Sequence, residues 1–213
     1  MSDISNTDIQ TDFFTFFSLP RKLQLDTALL EKNFYLLSRK LHPDRFAAKP
    51  LAEQEAALAQ SSLLNDAYRT LKDAILRTQY LLTLEGVELE EQSKAATEAA
   101  RATGTQKKQI VPPELLEEVF ELNMQLQEMR AANQMGEDEP ELRRDLLTAK
   151  DAFDTKMVET QAELEALWSA WDTALDAGDK TAQTSARDAM VTLLNKRSYL
   201  RNLVRDVNEA LGL

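Results

Sequence analysis

The residues best suited to chemistry in this chain are His42, Pro43 and Asp44, which are consecutive. An imidazole beside a carboxylate can transfer protons in general acid–base catalysis, so an enzyme site is one interpretation. A His and an Asp around a proline also suit a turn. In that case Pro43 fixes the backbone, while His42 and Asp44 offer hydrogen bonds and charge to a partner. The tripeptide alone leaves both interpretations open.

The composition excludes most other kinds of active site. The 213 residues include no Cys and one His, which excludes disulfides, thiolate metal sites and Cys nucleophiles and disfavours imidazole zinc sites. The five glycines are scattered, so no phosphate-binding glycine loop can be written. We therefore expect no cofactor and no metal. The acidic run 137–139 is interpreted as a favourable helix start.

The charge is distributed unevenly along the chain. The net charge of −11 argues against nucleic-acid binding, but residues 1–86 carry only −1 and residues 87–213 carry −10. Within the first part, residues 20–49 contain seven basic and three acidic residues. This basic patch indicates a surface for an acidic partner, although solvated charges are the alternative interpretation. Arg39, Lys40 and Arg45 flank the tripeptide. Lys32 lies seven residues before Arg39 and hence on the same helical face.

The N-terminal residues and the hydropathy pattern predict the compartment. The first residues are polar and acidic, unlike a signal or transit peptide, and no apolar run reaches 18 residues. We therefore expect a cytoplasmic protein without a membrane partner.

Helices must position the tripeptide, because the apolar residues recur at helical spacing and no strand pattern competes. Asp26 suits the start of a helix that ends before Pro43, with Leu30, Phe34, Leu37 and Leu41 on one side. Two further helices are expected at about 51–71 and 73–84, the latter with Leu76, Tyr80 and Leu84. The tripeptide then lies in the loop of a helical hairpin.

The second half predicts an antiparallel three-helix bundle. Helices are expected at about 113–131, at 140–177 and from a cap at Asp179 to the C-terminal region, with apolar steps of three and four. The predicted organisation is a disordered tail at 1–11, a helical domain at 12–86, a linker at 87–111 and a bundle domain at 112–213.

The first domain resembles a J-domain, and more closely the HscB family of iron–sulfur cluster co-chaperones. The similar stretches lie in order within residues 13–86: FFTFFSLP (13–20), Leu25-Asp26, HPDRFA (42–47), NDAYRTLKD (65–73) and RTQYLLTLEG (77–86). One departure is Ala74, which stands where the family usually has Pro. The resemblance implies an all-α protein, an N-terminal J-domain followed by a C-terminal three-helix domain.

The resemblance also implies a function. The J-domain binds a DnaK/HscA-type ATPase chaperone, stimulates its ATPase and brings to it an IscU-like iron–sulfur scaffold protein held by the bundle. The chaperone-binding residues implied are His42, Pro43, Asp44, Lys32, Arg39, Lys40 and Arg45. The chain itself is expected not to be an enzyme. Because it has no Cys, the ligands of a cluster would come from the scaffold.

A second candidate surface lies on the helix at 113–131. Leu115, Val119, Leu122, Leu126 and Met129 form an ordinary core stripe. Leu116, Phe120 and Met124 form another stripe, about 100° away, which indicates either a partner site or a wider buried face. The resemblance implies scaffold contacts at Leu116, Phe120, Glu121, Met124 and, on the last helix, Tyr199. Met124 stands where the family usually has Glu, and Tyr199 is expected outside the core.

Two other functions remain open on the sequence. A general J-domain co-chaperone for unfolded clients would not need Leu116 or Phe120. An enzyme that uses His42 and Asp44 would need a concave pocket around His42, whereas an exposed convex loop argues against it.

Overall fold

The computed structural model describes residues 12–87 and 111–213, so the predicted tail and nearly all of the predicted linker lie outside the described residues. The described part forms two compact units. The first contains residues 12–87 and 171–180, and the second contains residues 111–170 and 181–213. The ten residues 171–180 therefore group with the first unit, although the sequence had assigned them to the bundle domain.

The helices of the first unit follow the predicted hairpin. Asp26 begins the second of them, since its carboxylate accepts hydrogen bonds from the backbone N–H groups of Ala28 and Leu29. It contacts its partner helix through a stack of Phe34 on Tyr68, with ring centroids 4.2 Å apart. The helices are α1 (Phe13–Phe16), α2 (Thr27–Leu41), α3 (Leu51–Lys72) and α4 (Ala74–Leu84).

The short helix α1 is stabilised by what it packs against. Its four residues are too few to be stable alone. Phe13 stacks on Tyr80 of α4 at 4.3 Å between centroids, and its N–H donates to the Tyr80 hydroxyl at 3.0 Å. Phe14 and Phe17 are buried. The aromatic segment thus fixes the start of the first unit onto α4.

Helix α4 begins at Ala74 because Asp73 caps it, accepting from the N–H groups of Ile75 and Leu76 at 2.8 Å each. Of the apolar residues that the sequence places on this helix, Leu76 is exposed. The buried face of α4 lies on the other side and includes Arg77 and Leu81. An arginine inside the core is not detected by an apolar pattern, so the sequence could not identify this face.

Three longer helices follow, which are α5 (Leu116–Met135), α6 (Pro140–Ala177) and α7 (Lys180–Leu211). They form the second unit except for residues 171–180, which belong to the first unit. A short 3₁₀ turn, Pro113–Leu115, precedes α5. Gly136 ends α5 in the left-handed conformation, with φ 71°, which a residue with a side chain rarely adopts. All three helices contribute to one core, formed by residues that include Leu115, Val119, Leu122, Leu126, Leu146, Phe153, Leu200 and Val207.

None of the helices within residues 12–87 and 111–213 combines the length and the apolar character needed to cross a membrane. Within the same residues the secondary structure is helical, with turns and bends, as the sequence predicts.

Candidate functional site

The turn at His42 forms where α2 stops. His42 has an extended backbone, with φ −61° and ψ 127°, because Pro43 excludes the helical region for the residue before it. Pro43 then opens a short 3₁₀ helix, Pro43–Phe46, in which its fixed φ and missing N–H are no disadvantage. The sequence therefore places His42 at the end of the α2–α3 hairpin, as predicted.

Hydrogen bonds within the turn orient the imidazole. Nδ1 of His42 accepts the N–H of Asp44 at 3.3 Å, and the carbonyl oxygen of His42 accepts the N–H of Arg45 at 3.0 Å. Since Nδ1 acts as an acceptor, the neutral ring carries its proton on Nε2, which is left to donate to a partner. The Asp44 carboxylate lies 3.5 Å from Nδ1 and attracts the ring when the ring is protonated.

One side chain of the loop itself and one side chain of α3 brace this loop. The Arg45 guanidinium donates to the carbonyl oxygen of Arg39 at 3.1 Å. From α3, the Gln54 amide donates to the carbonyl oxygens of Ala47 and Lys49, at 3.3 and 2.8 Å. The turn is thus held in one conformation by the hairpin itself, which lowers the entropy that a partner must remove on binding.

The predicted cationic residues remain available to a partner. Lys32, Arg39, Lys40 and Arg45 are all exposed. Among residues 12–87 and 111–213, none of these four has a carboxylate within ion-pair distance. Lys32 and Arg39 lie seven residues apart and hence on one face of α2. Their positive field adjoins the turn and suits an acidic partner.

The exposure of the turn argues against acid–base catalysis. The side chains of His42 and Asp44 are 54% and 88% exposed. Enzymes usually adapt a catalytic pair by desolvating it in a cleft, and this pair is solvated. The turn is therefore suited to recognition.

A patch of exposed apolar side chains lies on α5. Leu116, Phe120 and Met124 are 56%, 70% and 59% exposed, and they recur every four residues on one side of the helix. The core stripe of the same helix, Leu115 to Met129, is buried. We call these three residues the α5 patch. Isolated exposed apolar residues are common, but a contiguous row indicates an interaction surface.

A groove runs beside the patch, between α5 and α6. It has a volume of about 480 Å³ and an apolar floor that includes Leu122 and Phe153. Glu121 is exposed and lines the groove, so it belongs to the edge shared with the patch. Asp145 and Thr148 of α6 form the opposite wall. The sequence pattern could not identify these α6 residues, because their pairing with α5 depends on the packing of the two helices.

Tyr199 lies in the core, contrary to the prediction from its spacing. It is only 8% exposed and packs in the cluster that contains Leu200 and Leu203. Burial, followed by the nearby charge of Asp206, raises the pKa of its hydroxyl. The buried face of α7 is wide enough to include Tyr199 because α7 is enclosed by two helices. Of the predicted scaffold residues, the structure exposes Leu116, Phe120, Glu121 and Met124.

Comparisons with known proteins agree with this architecture. No family model matches the sequence. The chaperone HscB from Vibrio cholerae is 25% identical, with a TM-score of 0.52, over 93% of this chain and 96% of that chain. The human co-chaperone protein HscB is 22% identical, with a TM-score of 0.56, over 97% of this chain and 86% of that chain. The human protein shows the same fold.

The fold places this chain in a class of all-α proteins in which a J-domain hairpin with a His-Pro-Asp turn precedes a three-helix bundle. Within that class, the match to the Vibrio cholerae protein over nearly all of both chains supports the HscB family for this chain.

Proposed function

We propose that this protein is a co-chaperone of iron–sulfur cluster assembly in the cytoplasm. It recruits a DnaK/HscA-type chaperone, stimulates its ATPase and delivers an IscU-like scaffold protein to it. The observation that carries the proposal is the braced His42 turn at the end of a basic hairpin, in a chain similar to the HscB structures. Holding both partners on one chain raises the effective concentration of each for the other.

The chaperone-binding surface of the proposal combines charge with a fixed turn. Lys32, Arg39, Lys40 and Arg45 attract an acidic surface of the chaperone and set its approach. His42 then donates from Nε2, Pro43 keeps the backbone in position and Asp44 adds a negative group at the tip. Such a surface increases the rate of association with the chaperone and sets its orientation, and it does not require a large buried area.

The scaffold-binding surface of the proposal is the α5 patch with Glu121 at its edge. Leu116 and Phe120 are the anchors, because large apolar side chains give most of the binding free energy when a partner excludes water from them. Met124 adapts its shape to the partner, and Glu121 offers a charged hydrogen bond at the rim. Tyr199 contributes by packing in the core of the same unit.

The experiment that tests this function measures two activities of the full chain. His42→Gln is compared with the wild type in stimulation of a DnaK-type ATPase and in affinity for an IscU-like scaffold. We expect the variant to lose stimulation and to keep wild-type scaffold affinity. Gln60→Ala, an exposed position on α3, is the matched control and should leave both activities unchanged.

Two outcomes would contradict the proposal. Equal loss of both activities in His42→Gln would show that the two partners do not use separate surfaces. Protection of a denatured model protein from aggregation, unaffected by replacement of Leu116 and Phe120 and without scaffold binding, would favour the general co-chaperone for unfolded clients.

A further inference from the structure

The segment 21–24, just before α2, is held by polar contacts from two distant parts of the chain. The carboxylate of Asp172 accepts the N–H groups of Leu23 at 2.7 Å and of Gln24 at 2.9 Å. Nε of Arg77 donates to the carbonyl oxygen of Leu23 at 2.9 Å. Nε1 of Trp171 donates to the carbonyl oxygen of Arg21 at 3.2 Å. Asp172 and Trp171 belong to the ten residues of α6 and α7 that form part of the first unit.

The contacts at Leu23 are shielded from water, whereas those at Arg21 and Gln24 are partly buried. Asp172 and Arg77 are 7% and 5% exposed, and Leu23 is fully buried between them. Arg77 also donates to the carbonyl oxygen of Leu71, and burial lowers the pKa of its guanidinium. Without the Asp172 carboxylate, the N–H groups of Leu23 and Gln24 would lose their hydrogen-bond acceptor. The buried guanidinium of Arg77 would at the same time lose a nearby negative charge.

Segment 21–24 leads directly into α2, which begins at Thr27 after the cap Asp26. Leu30 is the one residue of α2 that is buried, and Phe34 of α2 stacks on Tyr68 of α3. A helix of 15 residues is about 22 Å long, so a tilt of about 10° at its start would move its far end by about 4 Å. The far end of α2 carries Arg39, Lys40 and His42.

We propose that Asp172, acting with Arg77, is a positioning residue that fixes segment 21–24 and thereby the direction of α2. The residues where α6 ends and α7 begins then help to position a helix of the J-domain, although 85 residues separate Asp172 from the predicted end of that domain. The consequence for chaperone binding rests on the proposed function. Asp172 touches no residue of the His42 turn; it acts through the backbone of Leu23 and Gln24.

Three variants separate the contributions of charge and hydrogen bonding. Asp172→Ala removes both acceptor oxygens, and Asp172→Asn keeps one acceptor while losing the charge, so it should have an intermediate effect. Asp176→Asn is the matched control from the same segment. It breaks the 2.7 Å ion pair with Lys22, in which the Asp176 side chain is 64% exposed, and should have little effect.

The first measurement is structural and does not depend on any partner. Because the chain has no Cys, Glu31→Cys on α2 and Thr83→Cys on α4, both exposed, give a uniquely spin-labelled pair. We expect a narrow distance distribution in the otherwise wild-type chain and in Asp176→Asn, and a broader one in Asp172→Ala. Amide exchange of Leu23 and Gln24 should accelerate by about tenfold or more in Asp172→Ala. An unchanged distribution would overturn the proposal.

The second measurement is the stimulation of a DnaK-type ATPase, with His42→Gln as the reference. We expect Asp172→Ala to need severalfold more protein for half-maximal stimulation, with Asp172→Asn intermediate and the maximum preserved. If α2 broadens while half-maximal stimulation is unchanged, the functional role of Asp172 is wrong but the proposed function stands. If the wild type does not stimulate, the proposed function fails, and the spin-label distances still decide whether Asp172 positions α2.

Discussion

The His42 turn and the α5 patch are two exposed surfaces of opposite character. The turn is polar, short and braced by hydrogen bonds from Arg45 and Gln54. The α5 patch is apolar and lies on a regular helix whose separate core stripe is buried. The turn therefore presents hydrogen-bonding groups in a fixed direction, whereas the patch offers apolar area from which a partner can exclude water.

This difference indicates how the two surfaces should respond to change. Binding at the turn should depend on geometry and ionic strength, because its groups are charged and solvated. Binding at the patch should depend on the size of the side chains and little on salt, because its contribution is hydrophobic. The following four predictions test that contrast and the support beneath each surface.

The largest expected effect concerns the core under the patch. Tyr199→Ala should lower the free energy of unfolding by about 3–5 kcal/mol, because it removes a large buried ring. Tyr199→Phe keeps the ring and should cost far less. Denaturant unfolding measures both values. A Tyr199→Ala variant of normal stability with reduced scaffold affinity would instead place Tyr199 in the binding surface and extend that surface to α7.

The next effect concerns the patch itself. Leu116→Ala with Phe120→Ala should weaken scaffold binding by about 2–3 kcal/mol, or roughly 30- to 150-fold, at unchanged stability. Val158→Ala is the matched control, because Val158 is an equally exposed apolar residue on α6. Calorimetric titration of the scaffold measures the affinity. Equal losses of scaffold affinity in the control and the double variant would show that the α5 patch is not a specific binding surface.

A smaller effect is expected at the basic face of α2. Lys32→Ala with Arg39→Ala should slow association with the chaperone by about tenfold at low salt, and less as salt increases. Stopped-flow association at several salt concentrations provides the measurement. An effect that is independent of salt would mean that these residues act by direct packing, and the contrast with the patch would be lost.

The smallest effect is a pH-dependent one at α1. Burial alone raises the pKa of Asp12, but hydrogen bonds from Thr15 and Arg21 outweigh it and lower the pKa below its ordinary value of 3.8. Asp12→Ala should therefore cost about 1 kcal/mol at pH 7, through loss of the N-cap and the Arg21 pair.

The sign of this pH dependence follows from the lowered pKa. The stabilising contribution of ionised Asp12 is present above pH 3.8 and is lost as the pH falls through the lower value of the folded state. Thermal unfolding of the wild type and Asp12→Ala between pH 7 and acid pH should thus show converging stabilities. A gap that widens in acid would contradict the assigned hydrogen bonds.

Much of the local structure was predictable because short-range chemistry decides it. Pro140 and Gly178 predicted the bounds of α6, which runs from Pro140 to Ala177, since proline favours a helix start and glycine adopts φ 67° after the end. Asp26 and Pro43 likewise bound α2 on the sequence alone. Helix α5 was predicted too early, because Pro113–Leu115 forms a 3₁₀ turn before it.

The errors arose where burial depends on distant neighbours. Tyr199 is expected outside the core and is buried, and the apolar Leu76 of α4 is exposed while Arg77 is buried. In both cases the spacing along one helix was read correctly, but the width and direction of the buried face depend on which other helices surround it. The α6 wall of the groove beside Glu121 escaped prediction for the same reason.

The sequence by itself determined the helices, the hairpin and the His42 turn, because caps, prolines and apolar spacing act within a few residues. Only the tertiary structure decided that residues 171–180 complete the first unit and that Asp172 and Arg77 hold the backbone of Leu23. In a sequence, an Asp or Arg that becomes buried cannot be distinguished from one that stays on the surface. Their role depends on backbone groups about 150 and 54 residues away, which come into contact only when the chain has folded.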